Sequence, residues 1–373
     1  MEISSNFDAG NIEVEDCGDP ADVRLKIRPD NGADFFQWFY FRVSGVRGID
    51  CRFQILNAAE ASYPKGWEGY RACASYDRED WFRVPSRYDG TVLTIEHRAD
   101  HDSIYFAYFA PYSRERHRDL VARCQATGRA TLEVLGRTVD GDDLDLLIVG
   151  EADPAKRVCW VIGRQHPGET MAEWWMEGFL DRLLNRADPV ARALLDRACF
   201  HIVPNMNPDG SRRGNLRTNA AGANLNREWD NPSAERSPEV FFVRRRMVET
   251  GVDFALDVHG DEGLPYNFIA GADHVPAAGK KHRKLLADFQ SAYGRANPDF
   301  QSAHGYPRAK QANFSLCATN LAENFGCLAM TLEMPFKDNA DAPDDRAGWS
   351  PERSRILGDS FLTALLAVVD DLR

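Results

Sequence analysis

Four side chains that can bind a metal ion or transfer a proton stand at the ends of apolar runs: His166, Glu169, His259 and Glu333. The apolar runs are typical of buried strands, and doubly wound sheets bind ligands beyond the carboxyl ends of their strands. We therefore expect the four side chains to meet on one rim of a sheet. His166 and Glu169 lie three residues apart where a strand turns into a helix, so both can point to the same side.

The residue types in this group are those of a zinc site. Imidazole and carboxylate groups suit zinc, and catalytic zinc takes three protein ligands and leaves one position for water. With His259 as the third ligand beside His166 and Glu169, the sequence predicts one bound Zn2+. A single histidine at a strand end is equally well explained by a structural hydrogen bond, but the combination favours the metal. Asp257 and Asp261 flank His259, and Asp257 either orients a ligand histidine or caps a local turn.

Glu333 is the candidate for proton transfer. Zinc with an open position generates a nucleophilic water and polarises a carbonyl group. Hydrolysis of an amide then needs a proton acceptor that later protonates the leaving amine. Glu333 ends a buried strand and is predicted to be that group. The alternative is a buried carboxylate paired with an arginine.

A polar loop, NPDGSRRGNLRTNAAGANLNREW, separates two of the predicted strands. Arginine side chains bind carboxylates bidentately. The pair Asn226 and Arg227, together with Arg217, can therefore receive a substrate carboxylate and a carbonyl oxyanion. The alternative, a solvated loop with surface arginines, fits Arg212 and Arg213 better than it fits Arg217 or Arg227.

Two parts of the chain differ in their hydrophobic pattern. From about residue 20 to 112, short alternating runs such as FFQWFYFRV and SIYFAYFA predict an antiparallel sandwich or barrel. A charged stretch at residues 113–118 ends this part and opens a helix. After residue 130, a hairpin is followed by apolar strands that alternate with helices, which predicts a mostly parallel sheet covered on both faces.

The predicted fold class is therefore α/β. We expect an N-terminal antiparallel β-sandwich domain at residues 1–115, followed by an α/β/α domain at residues 116–373 with a mixed, mostly parallel sheet. Two Ser-Pro-Glu sequences, each with an N-cap and a proline at the first helical position, are good helix starts. Helices of this second domain are predicted near residues 170–185, 238–250, 280–292, 312–325 and 351–372.

Composition and charge exclude several classes of protein. The 373 residues are 43% hydrophobic and 27% charged, which excludes disordered and collagen-like chains. The net charge of −12 argues against a nucleic-acid partner, because a polyanion would be repelled. Eight scattered cysteines without a CxxC pair indicate thiols in a reducing compartment. No secretory segment is found and the longest apolar stretch, residues 361–369, is too short to span a bilayer, so we expect a cytoplasmic protein without membrane contact.

Five ordered motifs carry a resemblance that covers nearly the whole chain. HPGE, NPDG, GNLRTNAAGANLNREW, DVHG and TLEMPF resemble the zinc carboxypeptidases of the carboxypeptidase A type. The forms HPGET and GNxR…LNR, with WFYFRV and YFAPYS upstream, resemble the cytosolic carboxypeptidase branch, whose best-known members trim glutamates from tubulin tails. The resemblance implies that His166, Glu169 and His259 are zinc ligands and that Glu333 is the general base.

The same resemblance implies roles for the polar loop. Arg217 would stabilise the oxyanion, while Asn226 and Arg227 would hold the C-terminal carboxylate of the substrate. Many relatives also place a mobile tyrosine roughly two dozen residues before the base. No tyrosine follows Tyr306 before Glu333, so Tyr306 is named only as a candidate substrate contact.

The leading hypothesis is a metallocarboxypeptidase that acts on peptide or protein C-termini and prefers acidic C-terminal residues. The segment HGYPRAK offers Arg308 and Lys310 as cations for such a pocket, although it can also be a basic surface loop. The net charge of −12 would repel an acidic tail at a distance, so specificity must come from a local positive pocket. The alternatives are a zinc-dependent small-molecule deacylase of the aspartoacylase kind and a zinc-bearing binding module without turnover. Homo-oligomerisation stays open.

Overall fold

The computed structural model describes residues 1–272, 274–307 and 309–372. Its amino-terminal part contains two five-stranded sheets, with strand orders β1-β4-β10-β6-β7 and β2-β3-β5-β9-β8. The strands of this part are β1 (Glu2–Ser4), β2 (Glu13–Asp16), β3 (Val23–Lys26), β4 (Tyr40–Ser44), β5 (Asp50–Ile55), β6 (Cys73–Ser75), β7 (Phe82–Arg83), β8 (Ser86–Tyr88), β9 (Leu93–Arg98) and β10 (Ser103–Ala107).

The two sheets pack face to face through aromatic side chains. Phe53 of one sheet contacts Phe41 and Phe106 of the other, with ring centroids 5.9 Å and 5.0 Å apart. Alternating burial along β5 gives the strand one inner and one outer face, as the sequence pattern predicts. One pair departs from the antiparallel expectation, because β3 and β5 run parallel.

The second part is built on a seven-stranded mixed sheet with the order β11-β12-β14-β13-β15-β17-β16. Its four central strands, β14, β13, β15 and β17, are parallel, whereas the outer pairings are antiparallel. The predicted fold class is thus confirmed. The strands are β11 (Ala130–Arg137), β12 (Asp143–Val149), β13 (Arg157–Gly163), β14 (Ala198–Val203), β15 (Phe254–Asp261), β16 (Phe268–Gly271) and β17 (Leu328–Pro335).

Helices cover both faces of this sheet and form two apolar clusters with it. On one face, Phe179 packs against Phe200 of the sheet, and Phe361 packs against Phe254 of the sheet. On the other face, Val243 and Leu321 share a cluster with residues of the sheet. The helices are α1 (Arg114–Ala126), α2 (Met171–Leu183), α3 (Pro189–Leu195), α4 (Pro208–Arg213), α5 (Pro238–Thr250), α6 (Lys280–Ala296), α7 (Cys317–Phe325) and α8 (Pro351–Leu366).

Helix starts follow the local sequence closely. Ser113 and Ser350 accept hydrogen bonds from backbone amides of α1 and α8, which satisfies donors that have no partner within the helix. The helices α3 and α4 and the short edge strand β16 were not predicted, because each has only four to seven residues and therefore little periodic signal. Among the described residues, no helix combines the length and the apolar character needed to cross a membrane.

Candidate active site

The parallel core of the sheet brings the predicted residues together. His259 on β15 and Glu333 on β17 are direct neighbours in the register of the two strands. His166 and Glu169 lie in the connection that leaves the carboxyl end of β13 and enters α2. Because β13 and β15 are adjacent and parallel, this connection reaches His259. All four residues line one cavity of about 930 Å³.

Three donor groups of a candidate metal site face a common point. The Nδ1 atoms of His166 and His259 are 3.1 Å apart. Each lies 2.7 Å from a carboxylate oxygen of Glu169. All three side chains are buried, and their ligand atoms form a group compatible with a single ion.

The outer nitrogen atoms of the two histidines contact hydrogen-bond acceptors. His259 Nε2 lies 2.9 Å from Asp257 Oδ2, and His166 Nε2 lies 3.1 Å from Asn224 Oδ1. These acceptors hold a hydrogen on each Nε2, so each ring, when it is neutral, presents its Nδ1 lone pair to the other ring and to Glu169. Converging lone pairs require positive charge between them, and this donor set therefore fits zinc.

Burial and neighbouring charges shift the pKa values of the two histidines in opposite directions. Burial and the nearby Arg217 lower the pKa of His166 to about 3, so its ring is neutral. Burial alone would lower the pKa of His259, but the carboxylates of Asp257 and Glu169 raise it well above the usual value. The negative charge of the same carboxylates also attracts a metal ion. The metal ion then competes with the proton for the Nδ1 lone pair of His259.

Glu333 is buried beside this group, and its Oε2 has no hydrogen-bond partner among the described residues. Burial and the nearby carboxylates, Glu169 first, raise the pKa of Glu333 well above its usual range. No ion pair joins Glu333 to an arginine of the described chain, which counts against the purely structural alternative. A buried carboxyl group in the lining of the cavity, with one oxygen that has no partner, can accept a proton and return it.

The polar loop places three further predicted residues around the same cavity: Arg217, Asn226 and Arg227. Asn226 Oδ1 accepts a hydrogen bond from the amide of Cys317 at the start of α7 (2.8 Å). Arg227 Nη1 donates to the backbone oxygen of Asn226 (2.6 Å). Within the described ranges, neither guanidinium lies in an ion pair, so both are available to a substrate anion. Arg212 and Arg213 instead pair with Asp140, as expected of surface arginines.

The three residues of the HGYPRAK segment differ in position. Tyr306 lines the cavity, and its hydroxyl donates to Asp261 Oδ2 at 2.5 Å. Lys310 is exposed and is not among the residues that line the cavity, although Ala309 and Gln311 are. Arg308 lies outside the described residues.

Several residues of the site were not identified from the sequence. Gln165 donates to Asp257 Oδ2 (2.6 Å) and accepts from Trp229 Nε1 (2.8 Å), which fixes the carboxylate behind His259. Glu262 lines the cavity, and burial together with Glu169 raises its pKa to about 8. Proximity to the HPGE and DVHG motifs could have identified Gln165 and Glu262. Residues 62–66 of the amino-terminal part also line the cavity, and nothing in their local sequence indicates this.

Two family models match this chain, one in each of its two parts. The family model described as zinc carboxypeptidase matches residues 121–339, and the cytosolic carboxypeptidase N-terminal domain model matches residues 3–109. Cytosolic carboxypeptidase 2 of Danio rerio is 31% identical to this chain. The match covers 73% of this chain and 43% of the length of that protein.

Two solved structures are similar over almost the whole chain. A metallo-carboxypeptidase from Burkholderia cenocepacia is 52% identical with a TM-score of 0.97, and 99% of each chain is covered. A metallo-carboxypeptidase from Pseudomonas aeruginosa, in complex with (2-guanidinoethylmercapto)succinic acid, is 46% identical with a TM-score of 0.98, and 100% of each chain is covered.

Proposed function

The chain belongs to the zinc carboxypeptidase family, and we propose that it hydrolyses the C-terminal peptide bond of peptides or proteins with one zinc ion. One observation carries this proposal: the Nδ1 atoms of His166 and His259 converge with Glu169 in the cavity that Glu333 also lines. Bound zinc would supply Lewis acidity that polarises the scissile carbonyl group and activates water.

Side chains of the protein transfer the proton, stabilise the oxyanion and bind the substrate carboxylate. Glu333 accepts the proton of the attacking water and transfers it to the leaving amine. Arg217 donates hydrogen bonds to the carbonyl oxygen as negative charge develops on it. Asn226 and Arg227 bind the free C-terminal carboxylate, which restricts cleavage to the last peptide bond. The succinic acid ligand of the Pseudomonas aeruginosa protein carries carboxylates, and a pocket with free arginines suits such groups.

We also propose that C-terminal Glu or Asp is preferred, with Arg308 and Lys310 near the pocket. Three cations line the described part of the cavity: Lys65, Arg217 and Arg227. Burial and the nearby Glu169 raise the pKa of one carboxyl group there, Glu262, to about 8, so it carries little negative charge at neutral pH. With a metal ion on Glu169, the local field would favour an anionic side chain.

The remaining assignments are proposals of the same kind. We place the domain boundary near residue 115, just after α1 begins, and the protein in the cytoplasm. All eight cysteines are free thiols, as expected in a reducing compartment, and relatives are named cytosolic carboxypeptidases.

The decisive experiment offers the zinc-loaded protein two kinds of substrate. N-acylated dipeptides with varied C-terminal residues report carboxypeptidase activity through release of the free C-terminal amino acid. N-acetylated and N-succinylated amino acids report deacylation through release of acetate or succinate. We expect zinc-dependent release from the dipeptides only. Release of acetate or succinate without cleavage of any dipeptide would replace the proposal with the deacylase.

A further inference from the structure

Asp30, in the amino-terminal part, accepts hydrogen bonds from the backbone at Arg217 and at the residues on both sides of it. Asp30 is buried, and its Oδ1 accepts from the amide of Leu216 at 2.6 Å. Its Oδ2 accepts from the amides of Arg217 and Thr218 (2.8 and 2.9 Å) and from the hydroxyl of Thr218 (3.0 Å). One side chain thus receives four hydrogen bonds from three consecutive residues that lie about 190 positions away.

The loop that carries Arg217 depends on such outside partners. No helix or strand is formed between the end of α4 at Arg213 and the short 3₁₀ helix Leu225–Arg227, so the amides between them lack regular backbone partners. Besides the Asp30 carboxylate, which accepts from amides, the amino-terminal part supplies side-chain donors for carbonyl oxygens of the loop. Asn11 donates to the oxygen of Gly214 (2.9 Å) and Asn31 to that of Ala220 (2.7 Å).

Two glycines of the loop allow this close approach. Gly214 and Gly222 have φ angles of +71° and +74°, which favour glycine. A Cβ atom on Gly214 would meet the oxygen of Ala9 at 2.8 Å, and one on Gly222 would meet the oxygen of Gly32 at 2.6 Å. The loop therefore lies directly against the amino-terminal backbone and leaves no room for a side chain between them.

The guanidinium of Arg217 is also oriented by the amino-terminal part. It lies 5.8 Å from the ring centroid of Phe35 and 5.3 Å from that of Tyr63. The amide of Asp30 donates to the oxygen of Phe35 (2.8 Å), so one short turn supplies both the carboxylate behind the loop and a ring beside the guanidinium. Aromatic faces attract a cation without using its N–H groups, which stay available for a substrate oxygen.

We propose that Asp30 is a positioning residue for Arg217, and that the amino-terminal part thereby completes the oxyanion-binding side of the active site. The inference rests on the proposed function, because it assigns Asp30 an effect only through the reaction that Arg217 assists. Asp30 does not touch substrate. It fixes the backbone from which Arg217 reaches the carbonyl oxygen.

The substitution Asp30→Asn tests this directly. It replaces one acceptor oxygen with an NH2 group that faces backbone donors, so at least one amide loses its partner and the loop shifts. A misplacement of about 1 Å can cost about 100-fold in rate, and we expect kcat to fall by roughly 10- to 100-fold. KM should change by less than about threefold, because Asn226 and Arg227 still hold the C-terminal carboxylate.

The matched control is Asp8→Asn. Asp8 also lies in the amino-terminal part and accepts a hydrogen bond from a backbone amide, but this amide belongs to Arg114 (2.8 Å) at the start of α1 and not to the loop that carries Arg217. A loss of activity caused only by loosened packing would appear in both variants. We expect near wild-type kcat for Asp8→Asn.

A double-mutant cycle separates positioning from a general structural role. Arg217→Ala removes one oxyanion donor and should lower kcat by about 10²–10³. If Asp30 acts through Arg217, adding Asp30→Asn to Arg217→Ala should lower kcat by less than about twofold. Hydrogen exchange of the metal-free protein gives a readout without activity: the amides of residues 216–218 should exchange at least about tenfold faster in Asp30→Asn.

The possible outcomes distinguish a failure of the proposed carboxypeptidase function from a failure of the positioning role of Asp30. A wild-type protein that releases no amino acid from any dipeptide overturns the proposed function, and this inference with it. An active wild type in which Asp30→Asn costs the same with and without Arg217 overturns the inference alone. If Asp30→Asn does not fold, Thr218→Val serves instead, because it removes only the hydroxyl hydrogen bond to Asp30. This variant should lose less kcat than Asp30→Asn, and the loss must disappear when Arg217→Ala is also present.

Discussion

Arg227 should decide whether the protein recognises a free C-terminus. Its guanidinium lines the cavity, is bonded only to the backbone oxygen of Asn226 among the described residues, and has no carboxylate partner there. A hydrogen bond to a charged group contributes about 1.5–3 kcal/mol, which corresponds to roughly 10- to 150-fold in kcat/KM. Amidation of the substrate's C-terminus removes the negative charge, so wild-type kcat/KM should fall by that factor.

The assay compares acid and amide forms of one dipeptide substrate with wild type, Arg227→Ala and Arg213→Ala. In Arg227→Ala the two forms should differ by less than about threefold, because the charge that distinguishes them has lost its partner. Arg213→Ala serves as the matched control, since Arg213 pairs with Asp140 at the surface, and it should discriminate like wild type. Equal cleavage of acid and amide by the wild type would refute the assignment of Arg227.

Three further predictions concern the metal, the base and the pH dependence of stability. His259→Ala should remove most bound zinc, because two protein ligands hold it poorly, and full zinc content by elemental analysis would contradict the ligand set. Glu333→Gln should retain zinc and substrate affinity but lose about 10²–10⁴-fold in kcat, since an amide cannot accept the proton; a near-normal kcat would place the base elsewhere. Burial would lower the pKa of His117, but its bonds to Asp145 and Glu173 raise it from 6.5 to about 9 in the folded state. The protonated form is therefore stabilised by folding, and this contribution is complete below about pH 6.5 and lost as the pH rises through 9, by roughly 3 kcal/mol in urea unfolding. The control His117→Gln should lack this fall, and an equal fall in both proteins would exclude His117 as its source.

The sequence by itself predicted the fold class and the four side chains that line one cavity. His166, Glu169, His259 and Glu333 were found because each marks the end of an apolar strand, and parallel strands bring their carboxyl ends to one edge. The sequence also separated the arginines of the polar loop into surface residues and candidate substrate-binding residues. Arg212 and Arg213 pair at the surface, whereas Arg217 and Arg227 line the cavity.

Only the tertiary structure decided what surrounds these residues. The hydrophobic pattern of the amino-terminal part predicts only a sandwich. This part nevertheless supplies the cavity wall at residues 62–66, the aromatic rings beside Arg217 and the carboxylate of Asp30. Periodicity reports which face of a strand or helix is buried, because that depends on near neighbours. It does not report which loops contact each other, since the hydrogen bonds between Asp30 and residues 216–218 join segments that lie about 190 positions apart in the chain.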